Sequence, residues 1–347
     1  MRRMNKTLLL ILLLFTVSSL SAQTLRIKAV GDIMLGSVTP RPIVPEGNGE
    51  VFARNIAQYL DSADVTFGNL EGVFITEGVD PKKCSEASRK AGRCYEFGMP
   101  DRLAPALAAM HFSVMSMDNN HNSDYGTAGV VHTKKMLDEL DIAYAAKKAP
   151  VILEVKGKKI GIAAFGTSSI SYRVSDLATA KRVITELDAK CDLVLVSFHG
   201  GAEGLNAQHV KDETETYYGE NRGNLVQFSR TVIDAGADLV IGHGPHVLRG
   251  VDIYKDRLVI YSLGNFLTHG NVNIRDVRGN SAIMDIEIDL ETGALVEGSI
   301  IPTKQIRPGI AVYDSSNKAI QLIRDLSAAD FPDSELSIST DGKISKQ

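Results

Sequence analysis

The sequence predicts an α/β fold whose core is a mixed sheet or two packed sheets. Between residues 24 and 250, short β-branched apolar segments alternate with longer segments whose apolar residues recur at helical spacing, which is typical of strands connected by helices. From residue 251 to 306 the apolar segments follow one another across short turns, which predicts antiparallel strands. Several apolar runs end in glycine-containing loops that carry Asp, Glu, Asn or His.

Residues 1–22 have the organisation of a secretory signal peptide. A basic start is followed by an apolar run from Leu8 to about Val17 and by small residues that lead to Ala22. The run is shorter than the roughly 20 residues that span a bilayer. We therefore expect cleavage near Ala22 and a periplasmic or secreted protein, with an uncleaved N-terminal anchor as the alternative.

The charge of the mature chain argues against a nucleic-acid partner. Residues 1–22 hold three basic and no acidic side chains, so 35 basic residues remain against 42 acidic ones, a net charge of −7. Nucleic acid is usually bound by a concentrated basic face, which this composition does not indicate. An anionic ligand would have to be held by local groups rather than by the overall field.

In the first half of the chain, strands and helices are predicted to alternate. The segments are, in order, strand LRIKAV, helix VFARNIAQYLDSA, strand DVTFG, helix PDRLAPALAAM, strand FSVMSM, helix TAGVVHTKKMLDEL, strand DIAYAA and a hairpin around KGKK. Phe52, Ile56 and Leu60 show the helical spacing, and Pro100 suits a first helical turn. The polar segment from Thr76 to Gly98 is predicted to be an inserted loop, with a lid over a site as one interpretation.

The second half repeats a strand that ends in a histidine loop and then becomes antiparallel. Its segments are, in order, helix LATAKRVITELDAK, strand DLVLVSFH, a helix at the end of 209–236, strand GADLVIGH, a hairpin around residues 255–257 and strands joined by a turn at 291–293. A helix is predicted within 317–331, and the last dozen residues are expected to be frayed. We predict one domain from 23 to 313, followed by a C-terminal helix and tail over 314–347.

Three cysteines are present. Cys84 and Cys94 flank a polar loop, and in an oxidising compartment such a pair often forms a local disulfide. The sequence leaves open whether these two are joined, because it does not give the geometry that a disulfide requires. Cys191 precedes an apolar strand, where a buried free thiol is the common outcome.

Ligand-type residues collect where the predicted strands stop. They are Asp32, Glu71, Asn120, His121, His199, His243 and His246. In open α/β sheets ligands bind at the carboxyl ends of the strands, so these loops are placed to meet in one cleft. Carboxylates, an amide oxygen and imidazoles form a donor set that suits one or two divalent ions such as Mn, Zn, Fe or Mg.

Each of these residues also has a plainer interpretation. A single Asp or Asn at a strand end is usually a turn or cap residue, and a single His usually belongs to the core or the surface. A further alternative is a site that once bound metal and now only holds a ligand or partner. The coincidence of five such loops favours the metal site.

Six motifs occur in a fixed order over residues 26 to about 290: GDIMLG, GNLEG, NNHNSDYG, HGGAE, GADLVIGHGPHV and YSLGNF. In this respect the chain resembles the CapA family of bacterial capsule synthesis and poly-γ-glutamate systems, which is similar to the calcineurin-like metallophosphoesterases. The resemblance implies two facing mixed β-sheets flanked by helices, a metallophosphatase-like four-layer α/β/β/α sandwich.

The resemblance also implies roles for individual residues. The implied metal ligands are Asp32, Glu71, Asn120, His199, His243 and His246, with Glu71 able to bridge two ions. It implies that His121 meets the leaving group or scissile oxygen as a general acid or base. Glu203 of HGGAE and Asn265 of SLGNF are implied to face substrate.

Two positions depart from the expected pattern. Met34 stands where a metallophosphoesterase would have a histidine ligand, and a thioether is a poor ligand for a hard divalent ion. Gly200 stands where the capsule family often has an aromatic residue, which would widen the pocket. Both departures bear more on phosphatase activity than on metal binding.

The hypothesis that follows is an exported, metal-dependent hydrolase that uses metal-activated water in the synthesis or processing of capsule or poly-γ-glutamate. Its partners would be an anionic polymer or peptide such as poly-γ-glutamate and components of a membrane synthase. Two alternatives remain: a non-catalytic accessory or polymer-binding protein of an envelope synthase, and a general periplasmic metallophosphatase.

Overall fold

The computed structural model describes residues 23–92, 94–146, 148–270 and 272–347. The predicted signal peptide, residues 1–22, lies outside them. Within the described residues no helix is long and apolar enough to cross a membrane.

Twenty strands and eight α-helices are found in the part of the chain that the structure describes. The strands are β1 (Thr24–Met34), β2 (Val65–Leu70), β3 (Val73–Ile75), β4 (Gly98–Pro100), β5 (Val114–Ser116), β6 (Ala143–Ala145), β7 (Val151–Val155), β8 (Lys158–Phe165), β9 (Leu193–His199), β10 (Glu215–Tyr217), β11 (Glu220–Gly223), β12 (Leu239–His243), β13 (Val251–Tyr254), β14 (Arg257–Ile260), β15 (Asn265–Thr268), β16 (Asn280–Asp289), β17 (Leu295–Ile306), β18 (Ile310–Tyr313), β19 (Leu336–Ile338) and β20 (Lys343–Lys346). The helices are α1 (Glu50–Ala53), α2 (Ala57–Leu60), α3 (Glu86–Lys90), α4 (Pro105–Ala109), α5 (Gly126–Asp138), α6 (Leu177–Asp188), α7 (Leu225–Asp234) and α8 (Lys318–Asp330).

Two mixed sheets form the body of the protein, as the resemblance implied. The larger has the order β19-β20-β17-β16-β1-β2-β5-β6, with β15 paired to β1 and β18 to β17. The smaller has the order β13-β14-β12-β9-β8-β7. The parallel pairs come from the alternating first part of the chain, whereas β16 and β17 form the antiparallel hairpin predicted around residues 291–293.

Three apolar clusters define the layers. The central one joins inward-facing residues of both sheets, such as Ile27 and Phe67 of the larger sheet with Leu195 and Ile241 of the smaller. A second cluster packs α1, α2, α4 and α5 on the outer face of the larger sheet. A third packs α6 and α7 on the outer face of the smaller sheet. The order helix, sheet, sheet, helix confirms the predicted sandwich, with buried β-branched and aromatic side chains stabilising each interface.

Two local predictions were wrong in the body of the fold. Residues 51–63 form two short helices rather than one, because Ile56 leaves helical geometry at φ −124° while Phe52, Ile56 and Leu60 all stay buried. Pro100, predicted to lie in the first turn of a helix, instead ends β4, and α4 begins at Pro105. In addition, the hairpin of β10 and β11 was not predicted; its tip, Tyr218 and Gly219, has positive φ at both positions, as a tight two-residue turn requires.

The C-terminus is ordered rather than frayed, which corrects a third prediction. Strand β20 pairs with both β19 and β17, and Ile344 is fully buried in the central cluster. Leu336 and Ile338 of β19 also pack against this cluster, so strand pairing and three apolar side chains together order the segment.

The structure also answers the questions left open for the cysteines and the inserted segment. Cys84 and Cys94 form a disulfide with a Cα–Cα distance of 5.8 Å, whereas Cys191 is a free, partly buried thiol. Between the two bridged residues lies α3, and the segment ends at β4, which pairs with β3. The segment predicted as a loop thus carries short elements of its own.

Candidate metal centre

The predicted site residues lie where parallel strands of both sheets end. In the larger sheet Asp32 is paired in register with Asn69 on one side and with Asn265 on the other. In the smaller sheet His243 is paired with His199. Because parallel strands end at the same edge of a sheet, this register brings acids and imidazoles from distant parts of the sequence together.

His246 follows β12 of the smaller sheet and contacts residues of the larger sheet. Its Nδ1 lies 3.0 Å from Asp32 Oδ2 and 3.0 Å from Asn265 Oδ1. Its Nε2 lies 3.6 Å from Glu71 Oε1 and 3.8 Å from Glu203 Oε2. One imidazole is therefore surrounded by three carboxylates and an amide oxygen.

Three of the six predicted ligands already have the geometry of a metal group. Glu71, His199 and His246 each offer one ligand atom, and these atoms all lie within 4.8 Å of one another. Asp32 adjoins the group through His246 and accepts a 2.8 Å hydrogen bond from Asn69 Nδ2. One carboxylate and two imidazoles around one point, with a second carboxylate on the other side of His246, suit a divalent ion of the Mn, Zn or Fe type.

Unpartnered ligand atoms provide an independent test of this fit. Among the described residues, four atoms of the predicted set are buried without a hydrogen-bond partner: Glu71 Oε1, Asn120 Oδ1, His199 Nε2 and His243 Nδ1. Leaving such a group unsatisfied costs about 1–3 kcal/mol each. Three of them, Glu71 Oε1, Asn120 Oδ1 and His243 Nδ1, carry lone pairs that coordination of a cation would satisfy. In neutral His199 the amide Nδ2 of Asn69 lies 3.4 Å from Nδ1, which places the lone pair on Nδ1 and the proton on Nε2.

Two of the proposed ligands, His199 and His243, are held neutral, as a metal ligand must be. Burial lowers the pKa of His199 well below its ordinary value and also lowers the pKa of His243. The Nε2 of His243 lies 3.1 Å from the carbonyl oxygen of Val30, so the proton of the neutral ring is on Nε2 and the lone pair is on Nδ1. A carbonyl that fixes the tautomer of a metal-binding histidine is a common supporting feature.

The acids and His246 form a coupled charge system. Burial raises the pKa of Glu71 to about 8. Burial would also raise the pKa of Asp32, but the hydrogen bond with His246 and the charge of that ring outweigh it and hold the pKa at about 2. Burial would lower the pKa of His246, yet Glu71 and Asp32 raise it to about 10. In the metal-free protein the imidazolium is therefore the positive charge among the acids.

These shifts predict the pH dependence of stability for protein freed of metal by a chelator. Up to the folded pKa of about 10, folded His246 keeps a proton that the unfolded chain loses near 6.5, so its stabilisation disappears as the pH rises. Ionisation of buried Glu71 has the same sign, being unfavourable between 4.5 and about 8. We expect a lower melting temperature at pH 9 than at pH 7 and a smaller difference in His246→Gln protein. Equal slopes in the two proteins would contradict this charge assignment.

His121 lies next to this group with its own support. Its Nδ1 is 2.6 Å from Asp124 Oδ2, so the neutral ring donates from Nδ1 and its Nε2 carries the lone pair. Burial lowers the pKa of His121, which keeps the ring neutral near pH 7. Its backbone N–H donates to Asn119 Oδ1, and Asn119 in turn donates to the Leu70 carbonyl just before Glu71.

The two predicted substrate contacts differ in position. Glu203 is only partly buried, and its Oε1 accepts a 2.9 Å bond from the buried guanidinium of Arg222. Asn265, by contrast, is 1 % exposed, and its amide oxygen lies 3.0 Å from His246 Nδ1. Sequence reasoning missed Asn69, Asp124 and Arg222; the first two lie inside quoted motifs, whereas nothing in the sequence marks Arg222.

Comparisons with known proteins identify the family of the chain. The model of the family "Bacterial capsule synthesis protein PGA_cap" matches residues 26–269. The capsule biosynthesis protein CapA of Bacillus anthracis is 28% identical over 266 residues, covering 71% of this chain and 60% of that protein. The PGA biosynthesis protein CapA of Bacillus subtilis (strain 168) is 27% identical over 271 residues, covering 72% of this chain and 65% of that protein. The chain thus spans less than two thirds of the length of these relatives.

A solved structure supports the fold. The crystal structure of a novel phosphatase from Mycoplasma pneumoniae has a TM-score of 0.50 and 14% sequence identity, covering 87% of this chain and 100% of that one. At this identity the likeness concerns the arrangement of the sheets and helices alone.

Proposed function

Because the chain belongs to the family of bacterial capsule synthesis proteins PGA_cap, we propose that it is an exported, metal-dependent hydrolase. The proposed substrate is an anionic polymer or peptide of the cell envelope, such as poly-γ-glutamate, handled together with components of a membrane synthase. The observation that carries the proposal is the group formed by Glu71, His199 and His246, whose His246 is close enough to affect the pKa of His121, the proposed general acid or base. Export rests on the signal-like organisation of residues 1–22.

The residues proposed to hold one or two divalent ions are Asp32, Glu71, Asn120, His199, His243 and His246. When bound, such an ion polarises the scissile group and lowers the pKa of water so that it attacks at neutral pH. These side chains suit a cation because they are largely buried and several of their polar atoms have no hydrogen-bond partner. The identity of the ion is left to measurement.

The chain's own chemistry centres on His121. With Nδ1–H donated to Asp124, Nε2 can accept a proton from the attacking water and then return it to the leaving group. An imidazole suits both steps because its ordinary pKa is near neutral. Glu203 is proposed to contact substrate, since it lies at the more exposed side of His246 and is oriented by Arg222.

The second candidate is a non-catalytic accessory protein of an envelope synthase. Met34 favours it, because this buried thioether packs in the outer apolar cluster where a second ion would need a ligand. A general metallophosphatase is the third candidate. It would use the same proposed ligands, but Met34 stands where it would have a further histidine ligand.

Measurement of metal content and of the cleavage of two substrates, poly-γ-glutamate and a generic phosphodiester, distinguishes the three candidate functions. We expect the purified protein to bind about one or two divalent ions and, with Mn added, to shorten poly-γ-glutamate. His199→Ala and His243→Ala should each weaken metal binding by at least about 10–100-fold, the range seen even for supporting residues. His132→Ala, on α5 beside Asp101, is the matched control and should bind normally.

Each other outcome selects an alternative. Metal binding without cleavage of the polymer or of a generic phosphodiester would favour the accessory role. Cleavage of the phosphodiester alone would favour the general phosphatase. Unchanged metal content in both alanine variants would show that the ligand assignment is wrong.

A further inference from the structure

Residues 83–97, which contain the Cys84–Cys94 disulfide, form the disulfide-closed segment. Both ends of this segment contact Asp124, the residue that binds the His121 ring. Lys83, directly before Cys84, places its Nζ 3.2 Å from Asp124 Oδ1 and donates a 2.8 Å bond to the carbonyl of Asn120. The backbone N–H groups of Lys82 and Lys83 both donate to the Asp124 carbonyl. Asp124 is fully buried, and Lys83 supplies a positive charge beside its carboxylate.

Phe97 approaches the same pair from the other end of the segment. Its ring stacks on the His121 ring with a centroid distance of 4.1 Å and an angle of 24° between the planes. Its N–H donates a 2.7 Å bond to Asp124 Oδ2, the oxygen that binds His121 Nδ1. One face of the imidazole is thus covered, and the carboxylate that sets its rotation is fixed from two sides.

Contacts within the segment hold these two ends together. The Cys84 N–H donates 2.7 Å to Glu96 Oε1, and Arg89 Nε donates 2.8 Å to Glu96 Oε2. Glu96 is 1 % exposed and its carbonyl accepts from Ser37 and Thr39. The disulfide closes the same short span covalently, which reduces the number of arrangements open to Lys83 and Phe97.

We propose that the disulfide-closed segment from Lys83 to Phe97 is a positioning element for His121, with Lys83 and Phe97 as its positioning residues. The inference rests on the proposed function, in which the His121 imidazole transfers a proton. Its geometry gives the segment a role beyond covering the site: Lys83 neutralises the buried carboxylate, Phe97 restricts the ring plane, and the disulfide keeps the two in register. Neither residue is a metal ligand in the proposed site.

Paired lysine variants test the proposal. Lys83→Met removes the ammonium beside Asp124, whereas Lys90→Met makes the same change at an exposed position on α3 that pairs only with Glu86 among the contacts observed for it. We expect Lys83→Met to lower kcat about 10–100-fold, the usual effect of losing an orienting partner, with KM and metal content unchanged. Lys90→Met should match the unaltered protein.

A second readout does not require turnover. Diethyl pyrocarbonate labels accessible neutral imidazoles, and the labelling of His121 can be followed by peptide mass spectrometry. It should proceed several-fold faster in Lys83→Met and in Cys84→Ser/Cys94→Ser protein, because Asp124, which orients the ring, is held less firmly once Lys83 or the disulfide is lost. Labelling in Lys83→Met at the rate of Lys90→Met would overturn the proposal.

The two readouts separate this inference from the proposed function. If the unaltered protein hydrolyses no substrate but the labelling of His121 accelerates as expected, the positioning element stands and the hydrolase is rejected. If the protein hydrolyses the polymer and neither kcat nor labelling responds to Lys83→Met, the hydrolase stands and the positioning element is rejected. Lys83→Met keeps the test decisive even if the double serine variant does not fold.

Discussion

If the proposed function holds, Glu71→Gln protein is expected to lose the proposed divalent ion and hydrolytic activity, whereas Glu203→Gln protein is expected to keep the ion. The two carboxylates lie at nearly the same distance from His246 Nε2, 3.6 and 3.8 Å, so proximity alone does not distinguish them. The other contacts of the two carboxylates distinguish them. Glu71 Oε1 is buried without a hydrogen-bond partner, while Glu203 Oε1 is bound to the Arg222 guanidinium.

The chemical reason for this contrast is the charge that each residue can give. Glu71 has a pKa raised to about 8 by burial, so it holds a proton in the metal-free protein and must release it to bind a cation. The amide of the Glu71→Gln variant would fill the same volume without a negative charge. We therefore expect metal affinity to fall by more than about 100-fold, beyond the 10–100-fold typical of supporting residues.

Metal content and steady-state kinetics measure the two variants side by side. For Glu203→Gln we expect full metal content and a raised KM for polymer, since its proposed role is contact with substrate. For Glu71→Gln we also expect that proton release on adding Mn disappears. A Glu71→Gln protein with full metal content, or a Glu203→Gln protein without metal, would assign the ligand to the wrong carboxylate.

Much of the fold follows from local patterns in the sequence. Segments such as 177–188 and 225–234 have apolar residues at helical spacing, and their predicted helices are found as α6 and α7. The failures occur where one contact outweighs the pattern. Leu336, Ile338 and Ile344 order the C-terminus by packing on the core, and the Tyr218–Gly219 turn forms a hairpin that the surrounding polar residues did not indicate.

The site was predictable as a set of residues but not as a network. Glycine loops after parallel strands indicated Asp32, Glu71, His199 and His246, because strand ends of one sheet meet at one edge. Their pairing was not predictable, since His246 reaches Asp32 across 214 positions of sequence. The same limit applies to Arg222, whose role depends on tertiary contacts alone.

Arg249→Met protein is expected to be destabilised by about 3–5 kcal/mol, the usual cost of breaking a buried ion pair from one side. Arg249 is fully buried, and its guanidinium donates to both oxygens of Glu215 at 2.8 and 2.7 Å. Its Nε donates 2.6 Å to the Ala207 carbonyl. Methionine fills much of the volume but leaves the carboxylate and the carbonyl without these donors.

Urea unfolding of three variants separates the cause of this loss. Arg182→Met makes the same change in the exposed pair with Glu186 and should leave the urea midpoint of unfolding nearly unchanged, because water and salt screen an exposed ion pair. Arg249→Met/Glu215→Gln removes the unpaired charge and should recover a large part of the stability. If Arg249→Met and Arg182→Met unfold at the same urea concentration, the buried pair is not a stabilising contact.

The same variant also tests how the fold supports the site. Glu215 Oε2 accepts a 2.8 Å bond from the Ala202 N–H, so the Arg249–Glu215 pair anchors the loop that follows His199 and carries Glu203. Once this anchor is lost, Glu203 is no longer fixed relative to His246, whereas Asp32 and Glu71 on the larger sheet keep their places. We therefore expect folded Arg249→Met protein to resemble Glu203→Gln, with metal retained and KM raised. Loss of metal instead would show that the loop also sets the position of His199.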